Sequence, residues 1–235
     1  MRLTIAVSLF VILTGCASTP PLTVSEPLGE AGKKWAAIED SPQMAAFFKG
    51  TFDVMNFTVV ETGERFYLVN KGNMLRVMGG RMGHADLDVP ITQEQVDRVA
   101  RLGADGKLDD ADAFVVMGVL FSPVARSFLS GSFLSNDIIR RLAGVEDLIH
   151  ITFRAADNTE TAAVTLRAAN NRWYVTEGLQ GQPKRIFRMT PPESLDYMRH
   201  VYTTRKSVNP AVWIGFVDWY KQWKDRVSVV PTAAG

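Results

Sequence analysis

Three serines in one short segment are the side chains best placed to act as nucleophiles. Ser130, Ser132 and Ser135 lie in the sequence Leu-Ser-Gly-Ser-Phe-Leu-Ser, residues 129–135. A serine nucleophile needs a base, often histidine, within hydrogen-bond reach. The chain has three histidines and no Gly-x-Ser-x-Gly elbow. We therefore predict no catalytic residue and no enzymatic activity, since a hydrolase would require Ser130 or Ser132 beside a histidine.

One acidic segment has the residue types of a calcium site. Residues 105–112, Asp-Gly-Lys-Leu-Asp-Asp-Ala-Asp, match the second half of an EF-hand loop. The first and third ligand positions of such a loop would then be Arg101 and Gly103. Calcium requires several oxygen ligands, and these two residues supply no side-chain oxygen. A solvated turn that leads into a helix explains the segment better.

A second candidate for metal binding is the alternating set His84, Asp86 and Asp88. Alternation places all three on one face of a strand, where three ligands so close together cannot close a tetrahedral site. The glycines of residues 178–183 also lack the spacing of a dinucleotide-binding loop. The sequence therefore predicts no metal and no cofactor.

The N-terminus has the pattern of a secretory signal. Arg2 is followed by an apolar run, residues 3–14, and by Gly15. The run is shorter than the roughly 20 apolar residues that a membrane-spanning helix needs. Residues 13–16, Leu-Thr-Gly-Cys, resemble the bacterial lipobox, whose cysteine becomes an acylated N-terminus after cleavage. We expect residues 1–15 to be a cleaved signal peptide and Cys16 to be the lipidation site.

Cys16 is the only cysteine, so an internal disulfide is impossible. Ala17, rather than aspartate, follows it, which by analogy with lipoproteins favours the outer membrane. Each buried methylene of an acyl chain adds about 0.8 kcal/mol of membrane affinity. The expected location is therefore the outer membrane, with the lipid-anchored protein facing the periplasm.

The charge balance argues against a nucleic-acid partner. Removal of residues 1–15 takes away one charge, that of Arg2, and leaves 25 basic and 25 acidic residues. Proteins that bind nucleic acid usually carry a basic excess or a clustered basic face. The remaining length is enough for one large domain or two small ones.

The chain repeats its pattern after a predicted flexible tether, residues 16–34, rich in Pro, Ser, Thr and Gly. Equivalent positions in the two halves lie 94 to 99 residues apart, and four strands followed by a helix occur twice. The matched segments are 51–59 with 145–153, 73–77 with 171–175, and 85–92 with 185–190. This order predicts a duplication.

Strand alternation and helix starts indicate an α+β fold with two similar modules. The segments Phe-Tyr-Leu-Val, residues 66–69, and Ile-His-Ile-Thr-Phe, residues 149–153, are interpreted as strands of a sheet packed on one face, and Gly or Asn at the reversals predicts antiparallel hairpins. Thr92 with Gln95, and Thr190 with Glu193, have the spacing of capping boxes at helix starts. We expect each module to be an antiparallel sheet packed with helices.

Three segments of the first half resemble the sterol carrier protein 2 (SCP2) family. They are the hairpin of residues 66–80, the Ala-Asp strand of residues 84–92, and Gly-Lys-Leu with Ala-Phe in residues 106–114, followed by Gly118. The second half keeps the strands and the helix but has Arg-Lys-Ser-Val-Asn-Pro, residues 205–210, in place of the Gly-Lys-Leu turn. The resemblance implies tandem SCP2-like modules and an apolar tunnel that holds a lipid.

Residues 113–139 form a long apolar stretch in which Phe and Met alternate with small residues, a composition suited to lining such a tunnel. The core seam between the two halves is an equally good interpretation. The residues predicted to line the tunnel are Phe114, Met117, Val119, Leu120, Phe121, Phe128, Leu129, Phe133, Leu134 and Ile138.

The expected domains are a first module, residues 35–124, and a second, diverged module, residues 125–228, followed by a tail, residues 229–235. The second module ends in an aromatic helix over residues 212–227, whose stripe of Phe216, Trp219, Trp223 and Val227 predicts core packing. Its Trp and Lys residues also suit a membrane interface.

Two functions follow. The first is binding or transfer of an apolar lipid, such as a sterol, hopanoid, quinone or acyl chain, by a membrane-tethered lipoprotein. The alternative is a non-catalytic structural or assembly lipoprotein that binds another envelope protein.

Overall fold

A computed structural model describes residues 22–72, 74–102, 136–154 and 160–231, with eight single residues between 116 and 134. Within these residues the chain forms ten strands and seven helices, divided into two compact units, Pro20–Phe128 and Leu129–Gly235. Each unit contains one five-stranded sheet and helices, which confirms the α+β class. The boundary between the units lies four residues after the predicted one.

Among its described residues, the first unit has a short strand and three short helices before β2 and a longer helix after β5. Its sheet has the order β1-β4-β3-β2-β5. The elements are β1 (Val24–Ser25), α1 (Glu30–Lys34), α2 (Ala36–Glu39), α3 (Pro42–Phe48), β2 (Val54–Val59), β3 (Arg65–Lys71), β4 (Met74–Arg81), β5 (Leu87–Ile91) and α4 (Gln93–Leu102).

The second unit begins with one helix and ends with two longer ones. Its sheet has the order β10-β9-β6-β7-β8. The elements are α5 (Asp137–Ala143), β6 (Leu148–Arg154), β7 (Glu160–Ala169), β8 (Arg172–Glu177), β9 (Arg185–Met189), α6 (Pro191–Arg205), α7 (Pro210–Val227) and β10 (Ser228–Val229). Val229, predicted to start the tail, pairs with Ile186 of β9.

The prediction of fully antiparallel sheets is wrong for the fourth strand of each repeat. The first three strands pair as antiparallel neighbours, but β5 lies parallel to β2 and β9 lies parallel to β6. Both sheets are therefore mixed. The connection between β4 and β5 is short, as in a hairpin, but it leads to the far side of β2 instead of turning back beside β4.

Four strands share their order and register in the two sheets, β4-β3-β2-β5 matching β8-β7-β6-β9, but the fifth strand lies at opposite edges, with β1 beside β4 and β10 beside β9. The comparison of the two sequence halves predicts the repeated order of strands along the chain. Met55 pairs with Leu68 and Leu87, and Ile149 pairs with Leu166 and Arg185. The counterpart of each paired residue lies 94 residues further on for β2 and 98 residues further on for β3, β4 and β5. The four additional residues of the second unit therefore lie in the hairpin formed by β6 and β7.

In each unit, a buried polar side chain binds the connection that leads to the parallel strand. This side chain lies on β2 in the first unit and on β6 in the second. Asn56, 3% exposed, donates from Nδ2 to the carbonyl of Met82 (2.9 Å), and its Oδ1 accepts the Met82 N–H (2.9 Å). The corresponding residue of β6 is His150, whose buried ring lies 3.0 Å from the carbonyl of Gln180 through Nε2. Because a carbonyl can only accept, Nε2 carries a proton in this contact.

A buried tryptophan packs on the helix-covered face of each sheet, but the two come from opposite ends of their units. Trp35, fully buried before α2, lies edge-on to Phe57 and Phe66 with ring centroids 5.0 Å apart in both cases. In the second unit Trp223 of α7 stacks on Phe187 at 5.8 Å. Such pairs add about 0.5–1.5 kcal/mol beyond the area that they bury.

The segment predicted as a tether is folded from Val24 onward, so the prediction that it extends to residue 34 is wrong. Val24 and Ser25 pair with Arg81 and Gly80. Gly80 has φ 94°, and a Cβ there would lie 2.1 Å from the carbonyl oxygen of Val24. Pairing with β4, rather than local propensity, makes this stretch a strand, and composition alone does not reveal it.

Glu64 caps helix α1 from a distant part of the chain. Its two carboxylate oxygens accept the N–H groups of Ala31 and Gly32, each at 3.0 Å. Helix N-terminal N–H groups have no partner within the helix, and a carboxylate there also interacts favourably with the helix dipole. We expect Glu64→Ala to lower the free energy of unfolding by about 1–2 kcal/mol.

Urea unfolding followed by circular dichroism would measure this loss. Glu61→Ala is the matched control, because Glu61 accepts one N–H, from Gln93, at a site exposed to solvent. An equal or larger loss in Glu61→Ala would contradict the capping role that we assign to Glu64.

Candidate functional site: a groove between the last two helices

The local sequence fixes where α6 and α7 begin. Glu193 accepts the N–H of Thr190 at 2.8 Å, as the predicted capping box requires, and Pro191 occupies the first helical position. Asn209 caps α7, since its Oδ1 accepts the Ala211 N–H at 3.0 Å. Farther along α7, the buried Lys224 donates to the carbonyl of Gly144 at 2.7 Å and so ties this helix to the end of α5.

The buried stripe of α7 differs by one residue from the predicted stripe. Phe216, Tyr220, Trp223 and Val227 are buried, whereas Trp219 is half-buried. The spacing of the buried residues follows one face of a helix. Trp219 therefore lies at the border between the core and the surface, where it remains accessible to a ligand.

A groove of about 360 Å³ lies between α6 and α7. This volume falls within the range of roughly 300–1,000 Å³ that is usual for small-molecule sites. The groove is open to solvent along its length. It is lined from α6 by Arg199, His200, Thr203 and Thr204, and from α7 by Val212, Gly215, Phe216 and Trp219.

Gly215 leaves an empty notch in this groove. A Cβ built on Gly215 would meet no atom of the described residues within 4 Å, so no neighbouring group among them requires glycine there. Glycine in a helix interior is less favourable than alanine by about 0.8–1.0 kcal/mol. Its presence in α7 therefore lowers helix stability while keeping the backbone of the groove accessible.

One wall of the groove is a stacked pair of rings. His200 lies parallel to Trp219, with ring centroids 3.7 Å apart and an interplanar angle of 8°. The imidazole is oriented by Asp196, whose backbone carbonyl lies 2.9 Å from Nδ1 and whose carboxylate lies 3.3 Å from it. Arg226 lies 3.6 Å from the other carboxylate oxygen of Asp196. The pair presents a flat, largely apolar surface with a polar edge.

Tyr220 lies beneath the groove, and burial raises its pKa well above the ordinary value of 10.0, with a smaller contribution from Tyr197. The folded state therefore retains the phenol proton at pH values where the unfolded chain loses it. The free energy of unfolding is accordingly expected to fall as pH rises above about 10. Tyr220→Phe should show a smaller fall over that window, measured by urea unfolding at a series of pH values. Equal pH dependence in the two proteins would contradict this.

Five of the ten residues predicted to line a tunnel fall within the described chain. Ile138 is 49% exposed on α5, because that helix turns Ile139, Arg140 and Ala143 inward instead. The buried members are Val119, Leu120, Phe128 and Leu134. The members outside the described residues are Phe114, Met117, Phe121, Leu129 and Phe133. The tunnel remains a prediction.

The carboxylates considered as metal ligands have structural partners. Asp86 accepts the N–H groups of Asp53 (2.5 Å) and Val54 (3.0 Å). Asp88 accepts from Asn56 and Arg81. Among the described residues, no three His, Cys, Asp or Glu side chains form a group that could hold a metal ion.

The other candidates from the sequence lie outside the part of the chain that the structure describes. They are Cys16, the acidic segment 105–112, and the serines Ser130, Ser132 and Ser135. The lipidation of Cys16 and the prediction that none of these serines is a nucleophile therefore stay predictions.

The aromatic stripe of residues 212–227 predicts core packing, so the groove does not follow from that pattern. Two other features of the sequence indicate a site on these helices. Gly215 interrupts an otherwise well-formed helix, and no acidic residue occurs between Asp196 and Asp218.

Comparison with known proteins adds no relative, since neither family models nor curated proteins nor solved structures gave a match. The likeness to the SCP2 family therefore stays a prediction from the sequence. Among the described helices, none is both long enough and apolar enough to cross a membrane.

Proposed function

We propose that the chain is a lipoprotein, anchored in the outer membrane through acylated Cys16 and facing the periplasm, that binds an apolar lipid. The lipid class is that of a sterol, hopanoid, quinone or acyl chain. Binding of this kind makes or breaks no covalent bond in the bound lipid. The proposed anchor rests on the lipobox-like residues 13–16.

The observation that carries the binding function is the notch at Gly215 in the groove between α6 and α7. Val212 and Phe216 supply apolar surface on either side of it, and Trp219 with His200 supplies a flat wall. A site of this kind binds through burial of apolar surface, which is worth about 25 cal/mol per Å². The few polar groups at its edge suit a lipid with a single polar end.

Filling the notch tests the proposal. We expect Gly215→Leu to remove most of the bound lipid, because the new side chain occupies the groove without meeting any atom at its Cβ. The same change should stabilise α7 by up to about 1 kcal/mol, since leucine is a far better helix former than glycine. Native mass spectrometry of the chain from Ala17 onward, expressed in a bacterial host and purified without detergent, measures the occupancy by lipid taken up from that host.

Gln222→Leu is the matched control, since it adds the same side chain at an exposed position of α7 outside the groove lining. It should retain the lipid of the unmodified chain. An unmodified chain that is repeatedly free of lipid would overturn the binding function. Equal occupancy in Gly215→Leu and Gln222→Leu would overturn the groove as its site.

A second candidate, an assembly lipoprotein, is favoured by one observation on α5. Ile138 and Leu142, one helical turn apart, are both about half exposed. A photo-crosslinking residue at position 142 that captures one envelope protein in intact cells, while the same residue at position 222 does not, would support this function. Equal capture at both positions would argue against it.

A further inference from the structure

The connection from α6 into α7 presents two apolar side chains to solvent. Val208 is 79% exposed and Ile214 is 58% exposed. We refer to residues 205–214 as the α6–α7 corner. Isolated exposed apolar residues are ordinary on a protein surface, so exposure alone does not mark Val208 and Ile214 as a contact surface.

The backbone of the corner is held by its own hydrogen bonds. The Ser207 hydroxyl accepts the Asn209 N–H at 3.1 Å, and Trp213 Nε1 donates to the carbonyl of Ser207 at 2.9 Å. The Asn209 cap then starts α7. Val208, between two residues fixed in this way, is held outward at the tip of an ordered turn.

In the sequence that contains the corner, the residues with formal charge are all basic. The sequence from Tyr197 to Val217 contains Arg199, Arg205 and Lys206 and no acidic residue, although the whole chain is close to neutral. Lys206 and Arg205 lie over the ring of Tyr202, with the Lys206 nitrogen 4.1 Å and the Arg205 guanidinium carbon 5.3 Å from its centre. The exposed apolar side chains Val208 and Ile214 therefore lie in a segment that also carries two basic side chains beside an aromatic ring.

From this juxtaposition we propose that the α6–α7 corner is a membrane-contact surface that inserts Val208 and Ile214 into an anionic lipid monolayer. Arg205 and Lys206 then lie at the level of the phosphates, and Trp213 and Tyr202 lie in the interfacial zone where such rings are favoured. Basic residues near an anionic membrane are attracted to its surface potential. This charge complementarity favours lipid over a protein partner.

The position of the corner also bears on the groove. Val212 belongs to the corner and also lines the groove, so insertion at the corner brings that end of the groove close to the lipid surface. This step rests on the proposed lipid binding, whereas the membrane contact itself does not. The two proposals therefore need separate tests.

Flotation with vesicles tests the contact. The chain from Ala17 onward retains every described residue and has no cysteine, so the anchor does not contribute. We expect it to float with vesicles of phosphatidylethanolamine and phosphatidylglycerol and not with vesicles of phosphatidylcholine alone. Changing Arg205 and Lys206 to Gln should weaken binding by about tenfold or more. Changing Val208 and Ile214 to Ser should abolish it.

Leu179→Ser is the matched control, because Leu179 is a comparably exposed apolar residue of the same unit away from the corner. It should float like the unmodified chain. A fluorophore on Val208→Cys should show a blue shift on anionic vesicles, and one on Leu179→Cys should not. Absence of flotation, or equal loss in the Leu179→Ser and corner variants, would overturn the contact surface. Self-association through the corner without vesicle binding would do so as well.

Discussion

Replacing Trp35 with alanine is expected to lower the free energy of unfolding by about 3–5 kcal/mol, the range found for large aromatic residues in well-packed cores. Trp35 is fully buried and lies edge-on to both Phe57 and Phe66 on the covered face of the first sheet. A cavity of this size cannot be refilled by the short helices around it. Since domains are stable by only about 5–15 kcal/mol, the loss removes a large part of the total.

Among the described residues, the indole N–H of Trp35 has no hydrogen-bond partner, which makes phenylalanine an informative second variant. Trp35→Phe removes the unpaired donor while keeping most of the ring, so the expected loss is about 1–2 kcal/mol. Urea unfolding followed by far-ultraviolet circular dichroism measures both variants. Met74→Ala, at an exposed position of β4, should change stability by less than about 0.5 kcal/mol. A loss in Trp35→Ala no larger than that in Met74→Ala would show that the aromatic cluster is not a core.

The second large effect is expected at Asn56. Changing Asn56 to Asp keeps the shape of the side chain but replaces the amide that donates to the Met82 carbonyl and to the Asp88 carboxylate. The new carboxylate cannot donate, is buried, and faces the like charge of Asp88. We expect a loss of about 2–4 kcal/mol at neutral pH.

Acid should restore part of this loss. Burial and the neighbouring carboxylate favour the protonated form of the introduced group in the folded state. The stability deficit of Asn56→Asp should therefore be smallest at low pH and grow as pH rises. Thr58→Asp, exposed on the same strand, is the control, and its stability difference from the unmodified chain should lack this trend. Parallel pH curves for the two variants would contradict the role of Asn56 in holding the connection that leads to the parallel strand.

Sequence periodicity predicted the α+β class and the repeated order of strands, but it did not predict which strands pair. The apolar run Phe-Tyr-Leu-Val of residues 66–69 identifies a strand regardless of its neighbours, although Phe66, Tyr67 and Leu68 are all buried, so the sheet is covered on both faces there. The parallel placement of β5 depends on Asn56 and on the path of residues 82–86, which are long-range features. β1 was missed for the same reason, since two residues become a strand only through pairing with Arg81 and Gly80.

The groove was harder to foresee than the fold. The capping residue Thr190 predicts the start of α6, whereas α7 starts at Pro210, two residues before the predicted start. The stacking of His200 on Trp219 depends on how these helices pack. A helix pattern also assigns Trp219 to the core, because its position differs only slightly from that of the buried stripe. Gly215 was the clearest signal, and it became informative only when the space around it was known.

The early start of the folded chain limits how far the protein can extend from a membrane. Val24 is the first residue paired in the sheet, so seven residues, 17–23, separate it from Cys16. A chain of that length spans at most about 25 Å when fully extended. With Cys16 acylated as we propose, the edge of the first sheet stays close to the headgroups, and the protein cannot carry a lipid across the periplasm while anchored. Any acceptor of that lipid must come to this membrane.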